Sequence, residues 1–172
     1  AQKAGLGWIG KHTNLITRDY GSWIFLGELL LDVELEYDIP FEDDLCGTCT
    51  ACLDACPTDA FPEPYVLDSN KCISYLTIEH RGDLPTKLED KLSGWIYGCD
   101  ICQEVCPWNI KFPQNSNENS FLPRENIQER QISQWKKLTE EGFQILFKKS
   151  AVKRTKFIGL KRNIDLVSKT NP

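Results

Sequence analysis

Cys46-Gly-Thr-Cys49-Thr-Ala-Cys52-Leu-Asp-Ala-Cys56-Pro57 spells C-x2-C-x2-C-x3-C-P, and the reading of the whole chain turns on it. A second group, Cys99-Asp-Ile-Cys102-Gln-Glu-Val-Cys106-Pro107, spells C-x2-C-x3-C-P, and Cys72 stands alone between the two. These groups hold all 8 cysteines of the 172-residue chain. The first spelling is the one that wraps iron–sulfur cubanes: three thiolates from a tight turn hold one cluster, and the fourth crosses to the other. Applied here, Cys46, Cys49, Cys52 and the distant Cys106 ligate one [4Fe–4S] cluster. Cys56, Cys72, Cys99 and Cys102 ligate a second, with Cys72 replacing the ligand that the shortened second group lacks.

Two rival readings fit less well. Eight cysteines in 172 residues fall below the density of a disulfide scaffold, no signal peptide precedes them, and cysteines three apart crowd each other too closely for independent bridges. Structural zinc prefers paired C-x2–4-C hooks, into which neither group divides cleanly.

Composition narrows the class further. A chain of this length buries a sound core as one domain or a compact pair. The longest apolar region, Trp23 to Leu31, is interrupted by Gly27 and Glu28, too short for a membrane span and unlike a secretory segment. Unpaired thiolates and oxygen-sensitive clusters point to a reducing, cytoplasmic setting. The chain begins with Ala1 and has no Met, so it reads as a fragment or processed product. Its net charge of −5 hides a division. Residues 1–120 carry 8 Lys/Arg against 20 Asp/Glu, a balance of −12, whereas residues 121–172 carry 12 against 5, a balance of +7. A basic tail on an acidic body is either a phosphate-binding surface or a solvated helical face.

In chain order, residues 1–11 read as a helix end running into a glycine turn, Gly5-Leu-Gly7-Trp-Ile-Gly10. A dinucleotide loop would need a strand before it and a helix after it, and is rejected because Thr13 to Thr17 look like a strand. Arg18 to Gly21 form a turn and Ser22 to Leu35 a second β-rich run, together predicting a hairpin. Short helices are expected within Cys49–Cys56, from Asn70 through Ile78, and over Pro85–Leu92, with a brief strand at Tyr65–Asp68. Thr139-Glu-Glu caps a helix presenting Phe143, Leu146 and Phe147. A last helix over Thr155–Ser168 buries Phe157, Leu160, Ile164 and Val167, a periodicity of core packing. The fold class expected is α+β.

Clusters alone move electrons one at a time, so the flanks imply either a carrier or a second cofactor. At this point the chain resembles a family. Gly5 to Lys11, Gly21-Ser-Trp23, Cys46 to Pro57, Lys71-Cys-Ile-Ser-Tyr-Leu-Thr-Ile-Glu79, Gly98 to Asn109 and Arg162-Asn163 are similar to epoxyqueuosine reductase, over nearly the whole chain. The resemblance implies an oxidoreductase of tRNA processing that performs the last step of queuosine biosynthesis. It would reduce the epoxide of epoxyqueuosine in the anticodon to the alkene, with cobalamin fed by two [4Fe–4S] clusters. It also implies that the proton-donating Asp lies upstream of the glycine turn, so that this fragment is expected to hold clusters without turning over. The implied organisation is a truncated C-terminal part of a cobalamin-binding domain with its hairpin (1–45), a ferredoxin-type two-cluster module (46–110), a linker (111–123) and a basic helical tRNA-binding segment (124–172).

Lys11, Asn14, Ser74, Arg81 and Asp100 are the residues the resemblance nominates for cobalamin, each with a mundane alternative as a surface charge, turn former or helix acid. His12 and His80 are expected at the surface and not on cobalt, because the Asp-x-His-x-x-Gly pattern does not occur. Lys153, Arg154, Lys156, Lys161 and Arg162 are nominated for the phosphates of an anticodon stem-loop. An electron donor and a monomeric, membrane-free state complete the expectation. The competing readings are a ferredoxin-like electron-transfer module of a larger oxidoreductase, which would show clusters and no RNA affinity, and a reductive dehalogenase relative.

Overall fold

The computed structural model describes residues 1–170 and divides them into two compact units: residues 1–67 with 100–115, and residues 68–99 with 116 onward. Helices dominate both, and one two-stranded sheet is present among the described residues. No helix among them is long and apolar enough to cross a membrane.

The first unit begins with a 3-10 turn, Gln2–Ala4, closed by Gly5 in the left-handed conformation. Strand β1 (Trp8–Ile9) pairs antiparallel with β2 (Leu15–Ile16), in register Trp8 to Ile16 and Ile9 to Leu15. The hairpin therefore sits one element earlier than the sequence suggests, with Gly10 in its turn. A methyl group on Gly10 would lie 2.5 Å from Ile16 Cδ1 and 3.2 Å from the His12 ring, so a side chain there would force the buried Ile16 side chain to shift. The run 22–35 forms no strand. Its β-branched and aromatic composition suits a pleated sheet, but a strand also needs a neighbour for its N–H and C=O groups. No strand ladder includes it among the described residues. Phe25, Leu29, Leu30 and Tyr37 stand open to solvent, an apolar surface of the kind that marks an interaction site. Residues 65–68 likewise contribute only a bridge between Glu63 and Val66.

Helices α1 (Ala51–Asp54), α4 (Ile101–Glu104) and α5 (Pro107–Lys111) complete this unit. Trp8, Ile16 and Cys106 form its buried core, with Phe41, Leu45, Cys46 and Trp108 packed around them. The Trp8 ring meets Trp108 edge-on at 4.8 Å and stacks on Phe41 at 5.6 Å. Asn109 pins the loop after β2: its Oδ1 accepts from Ser22 N–H at 2.6 Å, and its Nδ2 donates to Ser22 Oγ and Gln103 O, both at 2.8 Å. Gly21 (φ 60°) makes room, since a Cβ there would sit 2.1 Å from Asn109 Oδ1.

The second unit holds α2 (Ile73–Ile78), α3 (Thr86–Glu89), α6 (Glu125–Gln128), α7 (Ile132–Lys136), α8 (Glu140–Leu146) and α9 (Lys156–Thr170). Helix α2 starts at Ile73, later than Asn70, with Cys72 as its N-cap, and α3 is four residues long. Thr139 caps α8 as expected, accepting from Gly142 N–H at 3.1 Å. Two apolar clusters fill the unit. Ile73, Leu76, Leu84, Leu88, Leu92 and Val167 form one; Trp135, Leu138, Phe143, Phe147, Leu160 and Ile164 form the other. Helix α9 contributes to both through the face its periodicity defined, with Phe157 half-buried at the margin.

Candidate iron–sulfur site

Hydrogen bonds from side chains and backbone hold the segment around Cys46. Asp44 accepts from Cys46 N–H at 3.0 Å and from the Tyr65 hydroxyl at 2.5 Å, while Tyr65 N–H donates to Lys11 O at 3.0 Å. The Tyr65 hydrogen bond, helped by the Cys46 amide, keeps the Asp44 carboxyl below its ordinary range, and the same bond pushes the Tyr65 phenol up to about 12. Cys49 N–H closes a turn on Cys46 O at 3.1 Å, with Gly47 left-handed inside it. Cys52 then lies in α1 and Cys106 is the N-cap of α5, where Pro107 starts the helix without wasting an N–H.

These elements bring Cys46, Cys49, Cys52 and Cys106 around one cavity of about 130 Å³, whose walls also include Lys11 and His12. At roughly 30 Å³ per water, this is space for a group several times larger than a single water. None of the eight cysteines is in a disulfide bond. Among the described residues no three His, Cys, Asp or Glu side chains converge as they would on a single ion. A cubane instead takes one thiolate per iron around its periphery, which is what thiols ringing a cavity can supply.

Burial makes the thiolate form of two of these cysteines costly unless a positive charge offsets it. Burial, with the Cys106 and Cys46 thiols nearby, pushes the Cys52 thiol up to about 11, and burial also raises Cys106. Bound iron would supply the positive charge that makes those thiolates tolerable. Lys11 adds to it: its ammonium is nearly buried and donates to Gly47 O at 2.6 Å and Cys49 O at 2.8 Å. In the metal-free chain, Cys52 is expected to alkylate slowly at neutral pH and to accelerate as pH rises toward about 11, because only the thiolate reacts. Peptide mapping after timed iodoacetamide exposure checks this; fast Cys52 labelling at pH 7 would contradict the burial argument.

Of the second set, Cys56 and Cys102 belong to the first unit and Cys72 and Cys99 to the second. Cys56 Sγ accepts from Ala60 N–H at 3.4 Å and lies 3.6 Å from Thr58 Oγ1. Cys99 packs on the apolar cluster of α2 and α3.

The residues nominated for cobalamin are placed as follows. Lys11 is committed to the cysteine loop, and Asp100 sits at the N-cap of α4, accepting from Gln103 Nε2 at 3.2 Å. Arg81 donates to Ile78 O at 3.0 Å and Arg154 O at 2.9 Å. Asn14 and Ser74 are half-buried; Asn14 N–H donates to His12 Nδ1 at 3.2 Å, and Ser74 O accepts from the Thr77 hydroxyl at 3.3 Å. The polar ends of Lys11, Arg81 and Asp100 thus hold loops and helix ends within their own units.

One of the two histidines departs from the expected surface placement. His80 is half-buried, with Nε2 2.8 Å from Asp83 O. His12 is only 3% exposed, and burial lowers its pKa. The glycine turn carries it inward with β1 and β2, a consequence of pairing that spacing alone does not reveal.

Among the basic residues, Lys153, Arg154 and Lys156 are exposed, and Arg154 pairs with Glu79. Lys161 donates to Lys136 O at 2.8 Å and pairs with Asp165 at 3.2 Å. Arg162 donates to Leu76 O at 2.7 Å, Gly82 O at 2.5 Å and Asn163 Oδ1 at 2.8 Å, so its guanidinium closes the C-terminal end of α2.

Two groups of thiols, one set already gathered about a cavity, define a cluster-binding protein, and the family described as the 4Fe-4S double cluster binding domain matches residues 45–109, which contain all eight cysteines. By sequence and fold the chain is similar to epoxyqueuosine reductases. It is 54% identical to the one from Leadbetterella byssophila and 51% identical to the one from Cellulophaga algicola, in each case over 97% of this chain and 54% of the relative. A crystal structure of epoxyqueuosine reductase with a tRNA-Tyr epoxyqueuosine-modified stem loop superposes with a TM-score of 0.85 at 31% identity, covering 99% of this chain and 44% of that one. The chain therefore spans about half the length of the curated relatives it matches.

Proposed function

We propose that this chain is the electron-delivering part of an epoxyqueuosine reductase that acts on tRNA in the cytoplasm. One observation carries the reading: thiols from two distant sequence groups line one cavity, in a chain half identical to these enzymes. In this reading Cys46, Cys49, Cys52 and Cys106 hold one [4Fe–4S] cluster, and Cys56, Cys72, Cys99 and Cys102 hold the other, one cysteine per iron. Reducing an epoxide to an alkene consumes two electrons and two protons and releases the oxygen as water. The clusters pass the electrons singly from an external low-potential donor. Cobalamin, held largely by other parts of the protein, would supply the two-electron chemistry at carbon. Asn14 and Ser74 remain the nominated candidates for it, whereas Lys11 serves the cluster loop by offsetting thiolate charge.

The RNA contact in this reading rests on Lys153, Arg154 and Lys156, the exposed members of the basic group. The test is binding of an epoxyqueuosine-bearing anticodon stem-loop to the reconstituted protein as a function of salt. Neutralising Lys153 and Lys156 together is expected to weaken binding and to reduce the slope of log K against log salt by about 1.5. A slope unchanged in that double variant would remove these residues from the interface. Absence of any stem-loop affinity in a protein carrying both clusters would favour the electron-carrier reading.

A further inference from the structure

Two buried side-chain nitrogens lack a hydrogen-bond partner among the described residues, Trp8 Nε1 and His12 Nε2. Both belong to the short segment of β1 and its turn, in the unit that carries Cys46, Cys49, Cys52 and Cys106. Buried N–H groups almost always find an acceptor, so an orphan in a folded core points to something that completes it. His12 is the more informative, because it also forms part of the wall of the four-thiol cavity.

Its tautomer is assigned from the bond at Nδ1. Asn14 N–H donates to His12 Nδ1 at 3.2 Å, so Nδ1 is the acceptor and the neutral ring carries its proton on Nε2. The ring is thus fixed on one side by the β-turn, and its buried Nε2–H has no acceptor among the described residues although the residue forms part of the wall of the four-thiol cavity. The only acceptors a filled cavity would add are the sulfurs of a cluster and its thiolates. We propose that His12 donates its Nε2–H to a sulfur of the cluster held by Cys46, Cys49, Cys52 and Cys106, and so sets that cluster's reduction potential. This rests on the cluster reading above. It makes His12 a tuning residue, acting through the cofactor without ligating iron. Hydrogen bonds to sulfur withdraw charge from the cluster and favour its reduced form.

The test uses the protein reconstituted with iron and sulfide and grown with heavy-nitrogen-labelled histidine. In the reduced state, the paramagnetic resonance of one cluster is expected to show a weak histidine-nitrogen coupling, retained in His80→Gln and lost in His12→Phe. Potentiometric titration should show one of the two potentials displaced to a more negative value in His12→Phe, the other unmoved, with His12→Gln restoring part of the shift through its amide N–H. If the wild type carries both clusters and shows no histidine coupling, the proposal is overturned without recourse to any variant. It is overturned equally by two unaltered potentials in a His12→Phe protein with full iron content. If the wild type fails to assemble two clusters, the underlying site assignment fails instead, and the iron and sulfide counts tell the two failures apart.

Discussion

Replacing Cys106 with serine is expected to abolish one cluster and spare the other, so that reconstituted iron falls from about eight to about four per chain. The argument is geometric. Cys106 lies farther than fifty residues from Cys46, Cys49 and Cys52 in the sequence, yet α5 presents it at the same cavity. A serine hydroxyl is a poor substitute for a thiolate, since iron in these clusters is held by soft sulfur and the hydroxyl stays protonated near neutral pH. The position is also buried, in contact with the Trp8 and Ile16 core, so the hydroxyl cannot recruit solvent to compensate. Chemical iron and sulfide counts, with the visible charge-transfer band, provide the measurement. Retention of both clusters in Cys106→Ser would mean that the thiols at this cavity are structural, and the electron-transfer reading would lose its foundation. As a control, Cys106→Ala should behave like Cys106→Ser, because the lost ligand and not the added hydroxyl is at issue.

What was legible beforehand divides by range. Features encoded within a turn or two could be read directly: the cap at Thr139, the inward face of α9 at Leu160, Ile164 and Val167, and the cysteine spacing itself. The spacing also named a distant partner for the first three cysteines, and the fold does bring those four thiols to one cavity. Features that depend on what lies opposite were not legible. The 22–35 run has strand-like residues, yet strand formation is decided by a ladder partner, and among the described residues no ladder includes it. Lys11 and His12 follow each other in a polar-looking turn, but the β1–β2 pairing and the loop at Gly47 turn both inward. Asn109, Asn163 and Thr77 give no periodic signal, although each sits at the centre of a buried hydrogen-bond network. The segments that carried the family resemblance, Lys71 to Glu79, Gly98 to Asn109 and Arg162-Asn163, include these network residues. Much of that resemblance therefore records how the cysteine segments are held, in addition to what they bind.

The same reasoning predicts that Asn163→Leu destabilises the second unit by about 3 kcal/mol, without touching any cysteine. Asn163 is fully buried on α9 and reaches in two directions. Its Nδ2 donates to Thr77 O at 2.8 Å, in α2, and to Ile96 O at 3.0 Å, just ahead of Cys99. Its Oδ1 receives the Arg162 guanidinium at 2.8 Å, which in turn caps the end of α2. Leucine fills a similar volume, so the loss is one of hydrogen bonds more than of packing. Thr77 O keeps the Thr155 hydroxyl at 2.9 Å, but Ile96 O and part of the Arg162 guanidinium are left short of a partner, each at about 1–3 kcal/mol. For a protein of this size the melting temperature should fall by roughly 10 °C, whereas Ile158→Ala, on the exposed face of the same helix, should change it by little. Because Ile96 leads into the Gly98-Cys99 segment, loosening its carbonyl should also slow cluster assembly relative to wild type even below the melting transition. A melting temperature within the scatter of the Ile158→Ala control, together with unaltered assembly kinetics, would show that α9 is held by its apolar face alone and that this buried amide contributes little.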